Sequence, residues 1–153
     1  MPESAERAWP VGTWLAFDFG LRRIGVAVGQ TTTRTANPLA IVRHGETQPD
    51  WEHIRGLVDE WRPAGFVVGL PLGPEGEDTP MSKRAKAFGE ALEAQFGRPV
   101  AWCDERFTSQ AAEQRFADRR AAGAARRKDA ALLDAMAAAI FLENWLQSLP
   151  HEL

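Results

Sequence analysis

An acidic side chain in the middle of an apolar strand constrains this sequence more than any other feature. Residues 15–20 read Leu-Ala-Phe-Asp-Phe-Gly, and a second strand, residues 23–30, follows after a short turn. Burying the Asp18 carboxylate costs several kcal/mol unless a cation or hydrogen bonds compensate its charge. Gly20 and Gly25 carry no side chain, so another group can approach the backbone closely. The pattern predicts a metal or phosphate site between two hairpin strands.

The composition is that of one ordinary globular domain. The chain has 153 residues, of which 44% are hydrophobic and 25% are charged. We expect a flexible N-terminus over residues 1–12 and a single domain over residues 13–148. The only cysteine, Cys103, excludes an intramolecular disulfide and favours a reducing compartment. No apolar run approaches the ~20 residues of a membrane span, and no signal sequence is visible, so we expect a cytoplasmic protein with no membrane partner.

The distribution of charge is more informative than the net charge of −3. Between residues 115 and 128, one acid stands among six basic residues, which are Arg115, Arg119, Arg120, Arg126, Arg127 and Lys128. This basic segment either binds phosphates or is a solvated helix surface.

The order of the predicted elements indicates an α/β fold. Strands are expected over residues 13–20, 23–30, 39–42, 65–70 and 100–103. Helices are expected from Asp50 to Pro63, from Thr79 to Gly97, over residues 108–123 and over residues 129–146. The order is βββαβαβαα, in which a meander of three strands precedes alternating helices and strands. Such an order predicts a mixed sheet with helices on its faces.

Three acidic residues with apolar or small neighbours are candidate ligands. Asp18 lies in the first strand, Glu105 follows the last strand, where ligands gather in open α/β sheets, and Asp134 lies in the last helix. Asp104 points away from Glu105 along an extended chain, so we expect only one of the two to take part. We predict that Asp134 borders the buried face of its helix, which consists of Leu132, Leu133, Met136, Ala137 and Ile140.

Three converging carboxylates repel one another, which requires raised pKa values or bound cations. Oxygen ligands suit Mg²⁺ or Mn²⁺. A structural alternative remains open, in which Asp18 caps a turn, Glu105 pairs with Arg106 and Asp134 reaches solvent.

Four sequence blocks resemble the YqgF/RuvX family of RNase H-like nucleases, which is associated with Holliday junction resolution and pre-16S rRNA processing. They occupy residues 18–27, 67–72, 104–109 and 134–138, and the resemblance covers roughly residues 14–146. It implies an RNase H-like mixed five-stranded sheet with helices on both faces. The family's metal ligands would correspond to Asp18, Glu105 and Asp134. Gly73 and Leu133 depart from the asparagine and lysine usual in similar proteins.

The residues and the resemblance together predict a divalent-metal-dependent endonuclease that uses two Mg²⁺ or Mn²⁺ ions. The expected substrate is precursor 16S rRNA, cleaved to process its 5′ end, and the alternative substrate is branched DNA. An alternative of another class is a non-catalytic nucleic-acid-binding factor of ribosome assembly. Ribosomal particles are further candidate partners, and the protein is expected to be a monomer or a homodimer. The candidate catalytic residues are Asp18, Glu105 and Asp134, and the candidate nucleic-acid-binding residues are Arg22, Arg23, Arg106, Arg115, Arg119, Arg126, Arg127 and Lys128.

Overall fold

Five strands form one mixed sheet in a computed structural model that describes residues 9–105, 114, 118 and 130–150. The strands are β1 (Thr13–Asp18), β2 (Arg23–Gln30), β3 (Thr35–Arg43), β4 (Gly65–Leu70) and β5 (Val100–Asp104). The described helices are α1 (Trp51–Trp61), α2 (Pro80–Phe96) and α3 (Ala130–Ser148). Of the helix predicted over residues 108–123, the structure describes only Gln114 and Asp118, which are both helical and are joined by a hydrogen bond from Gln114 Nε2 to Asp118 Oδ1 at 2.9 Å. None of the described helices is long and apolar enough to cross a membrane.

The sheet has the order β3-β2-β1-β4-β5, which confirms the predicted mixed topology. β2 is antiparallel to both β1 and β3, whereas β1, β4 and β5 run parallel to one another. The carboxyl ends of β1, β4 and β5 therefore meet at one edge of the sheet, which we call the carboxyl edge. β3 also ends there, because it runs in the same direction as β1.

Strand β3 is longer than the sequence predicted. It covers nine residues, Thr35–Arg43, although the apolar pattern predicted only residues 39–42. Pro38 weakened the strand signal, because proline cannot donate to a strand ladder. β3 lies at the edge of the sheet, where a proline is tolerated, and the pairing with β2 shifts register between Val26 and Ala27, opposite this proline.

Capping residues determine where the first two helices begin, as the sequence predicted. The Asp50 side chain accepts a hydrogen bond from the backbone N–H of His53 at 3.2 Å. Thr79 and Ser82 form a reciprocal capping box at the start of α2. Thr79 Oγ1 also donates to the carbonyl oxygen of Pro71 at 2.8 Å, which ties the β4–α2 loop to the helix that follows it.

The two faces of the sheet bury side chains of different size. α1 and α2 cover a core of large residues, including Leu15, Phe17 and Phe66, which are fully buried. α3 covers the opposite face, where the buried residues of the central strands are mostly small; they are Ala16, Ala27, Val67 and Ala101. At the far end of this face Trp14 contacts Trp9 and Trp145, with ring centroids 5.7 Å and 4.5 Å away. The small residues allow α3 to lie unusually close to the sheet.

The predicted buried face of α3 is wrong at Leu133, which is 44% exposed. Met136, Ala137 and Ile140 are partly buried, and Met136 and Ile140 pack against the core on this side of the sheet. The side chain of Leu132 lies outside the described residues.

The most buried residues of the helix belong mainly to a neighbouring face; they are Ala135, Ala138, Ala139, Phe141, Leu142, Trp145 and Leu146. Glu143 is also buried, and its Oε1 accepts a hydrogen bond from the backbone N–H of Ala36 at 3.0 Å. Gly25 explains the choice of face, because a Cβ added to this residue would overlap the carbonyl oxygen of Asp134. Near Gly25 the buried residues of this face are alanines, Ala135, Ala138 and Ala139, so the helix can approach β2 closely there.

A methyl group at Gly25 should therefore destabilise the protein. We expect Gly25→Ala to lower the free energy of unfolding by about 1–3 kcal/mol, because the backbone of α3 must shift to make room. Equilibrium urea unfolding measures this change. Gly56→Ala is the matched control, because Gly56 is exposed in α1 with no heavy atom within 4 Å of an added Cβ. The control should instead gain about 0.5–1 kcal/mol from its helix propensity. Equal effects of the two substitutions would contradict close contact at Gly25.

Candidate active site

The last residue of β1 lies between two glycines on the neighbouring strands. Asp18 pairs with Gly25 of β2. On the other side, the parallel register that joins Phe17 to Val68 brings Gly69 of β4 next to Asp18. Since side chains alternate along a strand, Asp18 shares the α3 side of the sheet with Ala16. The carboxylate therefore lies at the carboxyl edge, with no Cβ beside it on either neighbouring strand.

Each of these glycines makes room for another acidic residue. At Gly25 the vacant space is filled by the backbone of α3 at Asp134. At Gly69 an added Cβ would lie 2.7 Å from Glu105 Oε2, so the Glu105 side chain passes over β4. The carboxylates of Glu105 and Asp134 thus approach Asp18 from opposite sides. Sequence analysis missed Gly69, whose only signal was a glycine inside an otherwise apolar strand.

The pKa of Asp18 is raised by burial and also by the two nearby acids. Burial, followed by the negative charges of Glu105 and Asp134, raises the pKa of Asp18 to about 7. Burial also raises the pKa of Glu105, and the neighbouring charge of Asp104 adds to the effect. The three acids predicted from sequence are therefore close enough in the structure to influence each other, although their chemical roles stay predictions.

Residues next to Glu105 take different positions. Cys103 lies on the α3 side of the sheet, where its thiol donates to the carbonyl oxygen of Phe141 at 3.7 Å. Burial and the nearby acids Glu105 and Asp104 raise the pKa of this thiol to about 12, so it stays protonated and is no nucleophile. By the same alternation Asp104 is expected on the opposite side, and its negative charge still raises the pKa of Glu105.

Arg23 has a carboxylate partner. Its Nε lies 3.1 Å from Asp134 Oδ2, and the two side chains are 50% and 35% exposed. Such a half-exposed ion pair contributes only about 0–1 kcal/mol to stability, so it can be exchanged for another partner at little cost. Arg22 is exposed in the β1–β2 turn beside it. The other predicted nucleic-acid-binding residues lie outside the described residues; they are Arg106, Arg115, Arg119, Arg126, Arg127 and Lys128.

The donor chemistry of the three acids fits a hard divalent cation. All their donor atoms are oxygens, and the pKa of Asp18 shows that negative charge is concentrated there without full compensation. Within the described part of the chain, however, no three acidic, histidine or cysteine side chains are close enough to enclose an ion as they stand. Asp134 points to Arg23 instead. A cation bound by all three acids requires Asp134 to exchange Arg23 for the ion.

Comparison with known proteins identifies relatives over nearly the whole chain. A family profile described as "RuvX: Holliday junction resolvase" matches residues 12–148. A protein of Xanthomonas euvesicatoria is 48% identical over 146 residues, which cover 95% of this chain and 94% of the relative. A protein of Hydrogenovibrio crunogenus is 46% identical over 138 residues, which cover 90% and 96% respectively. Both relatives are named "Putative pre-16S rRNA nuclease".

Two solved structures share the fold. The fowlpox virus resolvase in complex with Holliday junction DNA superposes with a TM-score of 0.52 and 16% identity, covering 89% of this chain and 97% of the resolvase. T. thermophilus RuvC in complex with a Holliday junction substrate gives a TM-score of 0.51 and 16% identity, covering 90% and 94%. The predicted RNase H-like fold is confirmed by these similarities.

Replacing Asp18 should stabilise the metal-free protein, and the gain should grow with pH. The pKa of Asp18 is about 7 in the folded protein and about 4 in an unfolded chain. The folded state therefore holds its proton more tightly, and the protein loses stability as the pH rises from about 4 through about 7. We expect the stability gain from Asp18→Asn to increase by about 2–3 kcal/mol between about pH 5 and about pH 8.

Urea unfolding in the presence of a chelator, at both pH values, measures this gain. Asp59→Asn, which neutralises an exposed carboxylate of α1, controls for the loss of one negative charge. If the stabilities of the two variants depend on pH in the same way, the pKa of Asp18 is not raised in the folded protein.

Proposed function

The chain belongs to the RuvX family, and on this premise we propose that it is a divalent-metal-dependent nuclease that hydrolyses phosphodiester bonds in structured nucleic acid. The observation that carries the proposal is the coupling of Asp18 to Glu105 and Asp134 at the carboxyl edge of the sheet. A carboxylate whose pKa is raised by burial and by two neighbouring acids lowers the stability of the free protein when it is ionised. This loss of stability is explained if the acids bind cations that in turn bind a polyanionic substrate.

In the proposed mechanism, Asp18, Glu105 and Asp134 would hold the divalent ions. Bound divalent ions would supply a water nucleophile of lowered pKa and would stabilise the leaving oxygen of the phosphodiester. Arg23, which pairs with Asp134 in this structure, could donate its guanidinium hydrogens to a phosphate next to the bond being cleaved. The buried Cys103 thiol takes no part, because its pKa is about 12.

We infer that the substrate is precursor 16S rRNA and that the site of action is the cytoplasm. The relatives that support this substrate share 46–48% identity with the chain over at least 90% of its length. The description of the family favours branched DNA as a second candidate. A resolvase cuts two strands, so that function requires two sites in a symmetric dimer, whereas trimming of one RNA end requires a single site.

Cleavage assays with matched variants test the reaction. We expect the wild-type protein to cut an end fragment of precursor 16S rRNA in Mg²⁺ or Mn²⁺, and to cut a four-way DNA junction less efficiently. Asp18→Asn should lower the rate at least about a hundredfold, which is the upper range for losing a residue that merely supports a metal ligand. Asp59→Asn should retain the wild-type rate. Full activity in Asp18→Asn would refute the assignment, and tight binding without cleavage of either substrate would favour a non-catalytic assembly factor.

Metal-dependent stability provides an independent test of the ligands. Binding to the folded state alone contributes about 2.7 kcal/mol at a hundredfold excess over Kd. In a chain of this length, this corresponds to a rise in Tm of about 5–10 °C. We expect this rise on adding Mn²⁺ to the wild-type protein and its near-complete loss in Asp18→Asn, measured by differential scanning fluorimetry. Equal rises in both proteins would place the bound metal elsewhere.

A further inference from the structure

A cavity of about 530 Å³ lies behind the active site and is not used by the proposed mechanism. We call it the aromatic pocket. It is lined by Phe19, Leu21, His44, Gly45, Glu46, Thr47, Pro49, Trp51, Arg84, Ala87, Phe88 and Ala91. Phe19 follows Asp18 directly and packs against the core that α1 and α2 cover, so the pocket lies on the α1–α2 side of the same carboxyl edge.

The walls of the aromatic pocket are planar rings. Phe19 contacts His44 edge to face with ring centroids 5.3 Å apart, and it contacts Phe88 at 5.2 Å. Trp51 stacks on Phe88 at 5.6 Å with an interplanar angle of 21°. Phe88 is buried in the core, but Phe19, His44 and Trp51 are only partly buried. They can therefore offer ring surface to a planar ligand.

Leu21 provides a further apolar surface at the entrance. It is 49% exposed and lies in the turn between Gly20 and Arg22. In the sequence it stands between the proposed catalytic Asp18 and the arginines of the turn. Packing within the described residues gives no reason for a large apolar side chain at this position.

The charges at the pocket favour a nucleobase over a free phosphate. Arg84 supplies a cation and Glu46 an anion, so the pocket lining has no excess of positive charge from these two residues. The Glu46 carboxylate would repel a phosphate group inside the pocket, whereas it can accept a hydrogen bond from the amino group of a base. Arg84 is exposed and can pair with the phosphate attached to that base. The volume also lies within the range of about 300–1,000 Å³ that is typical of small-molecule sites.

We propose that the aromatic pocket binds one unpaired nucleobase of the substrate, next to the phosphodiester that lies at Asp18. The inference rests on the proposed nuclease function and makes it more specific. The preferred substrate then has an unpaired nucleotide beside the bond that is cleaved. The base packs against Phe19, His44 and Trp51, and its phosphate contacts Arg84.

Binding of short single strands without metal tests the pocket separately from cleavage. The probes are fluorescein-labelled RNA and DNA strands of about six nucleotides, each made with a complete centre and with one abasic nucleotide at the centre. Loss of one stacked base should weaken binding to the wild-type protein about 5- to 150-fold, measured by fluorescence anisotropy in a chelator. If the abasic nucleotide weakens binding equally in RNA and DNA, the pocket recognises the base alone. If it weakens binding only in RNA, the pocket recognises the ribose together with the base.

Substitutions of residues that line the pocket test whether the loss of affinity for the abasic probe arises there. Ala87→Met fills the pocket from an exposed helical position, and it should reduce the abasic penalty to less than about twofold. Leu21→Ser, at an exposed turn position, is a second variant that should reduce the penalty. Arg84→Gln should weaken binding of both probes more than Lys83→Gln does. Lys83 is the matched control, because it is exposed on the same helix but does not line the pocket.

Two results would overturn the inference. One is the absence of any abasic penalty in the wild-type protein, and the other is an unchanged penalty in the well-folded Ala87→Met and Leu21→Ser variants. A protein that cleaves its substrate but shows either result is a nuclease without this base site. A protein that shows the expected penalties but cleaves nothing keeps the base site and loses the proposed reaction.

Discussion

The contact between the backbone of α3 and Gly25 is the constraint on which the rest of the site depends. Because β2 has no side chain at this position, the helix can lie against the sheet at Asp134. Close packing then continues along α3 through Ala138 and Ala139, which are fully buried. This close packing brings Asp134 of α3 to Gly25, the residue that pairs with Asp18. Without it, the acids on β1 and α3 would be separated by the side chains of an ordinary helix–sheet interface.

Packing that brings acids together opposes the stability of the free protein. The pKa of Asp18, about 7, shows that burial and two neighbouring carboxylates penalise its charged form. Arg23 offsets part of this repulsion through Asp134, but as a half-exposed partner it offsets little. A stronger internal cation would stabilise the fold and would compete with any ion for the same oxygens. The weak Arg23–Asp134 pair is therefore consistent with a site that binds a ligand at the expense of the stability of the free protein.

The sequence predicted those features that depend on neighbouring residues. An acid within an apolar strand identified Asp18, and capping residues located the starts of α1 and α2. Features that depend on distant residues were missed or wrong. The face that α3 buries near Asp134 is set by its contact with Gly25, and Leu133 is left exposed. The Arg23–Asp134 pair likewise joins residues far apart in the chain. Gly69 acquires its meaning only when the parallel register brings it next to Asp18.

The positions of Asp18 and Phe19 have a consequence for how a nucleic acid strand must lie. The two residues are consecutive, so their Cα atoms are about 3.8 Å apart. Asp18 nevertheless lies on the α3 side of the sheet, whereas Phe19, which follows the end of β1, packs against the core on the α1–α2 side. A backbone that places one phosphate at Asp18 therefore runs over the carboxyl edge, past Leu21 and the turn arginines, with the aromatic pocket on its far side. A base that enters this pocket must unstack from the neighbouring bases of its strand. A continuous duplex, whose bases remain stacked and paired, cannot provide such a base, whereas a strand end, a bulge or a branch point can.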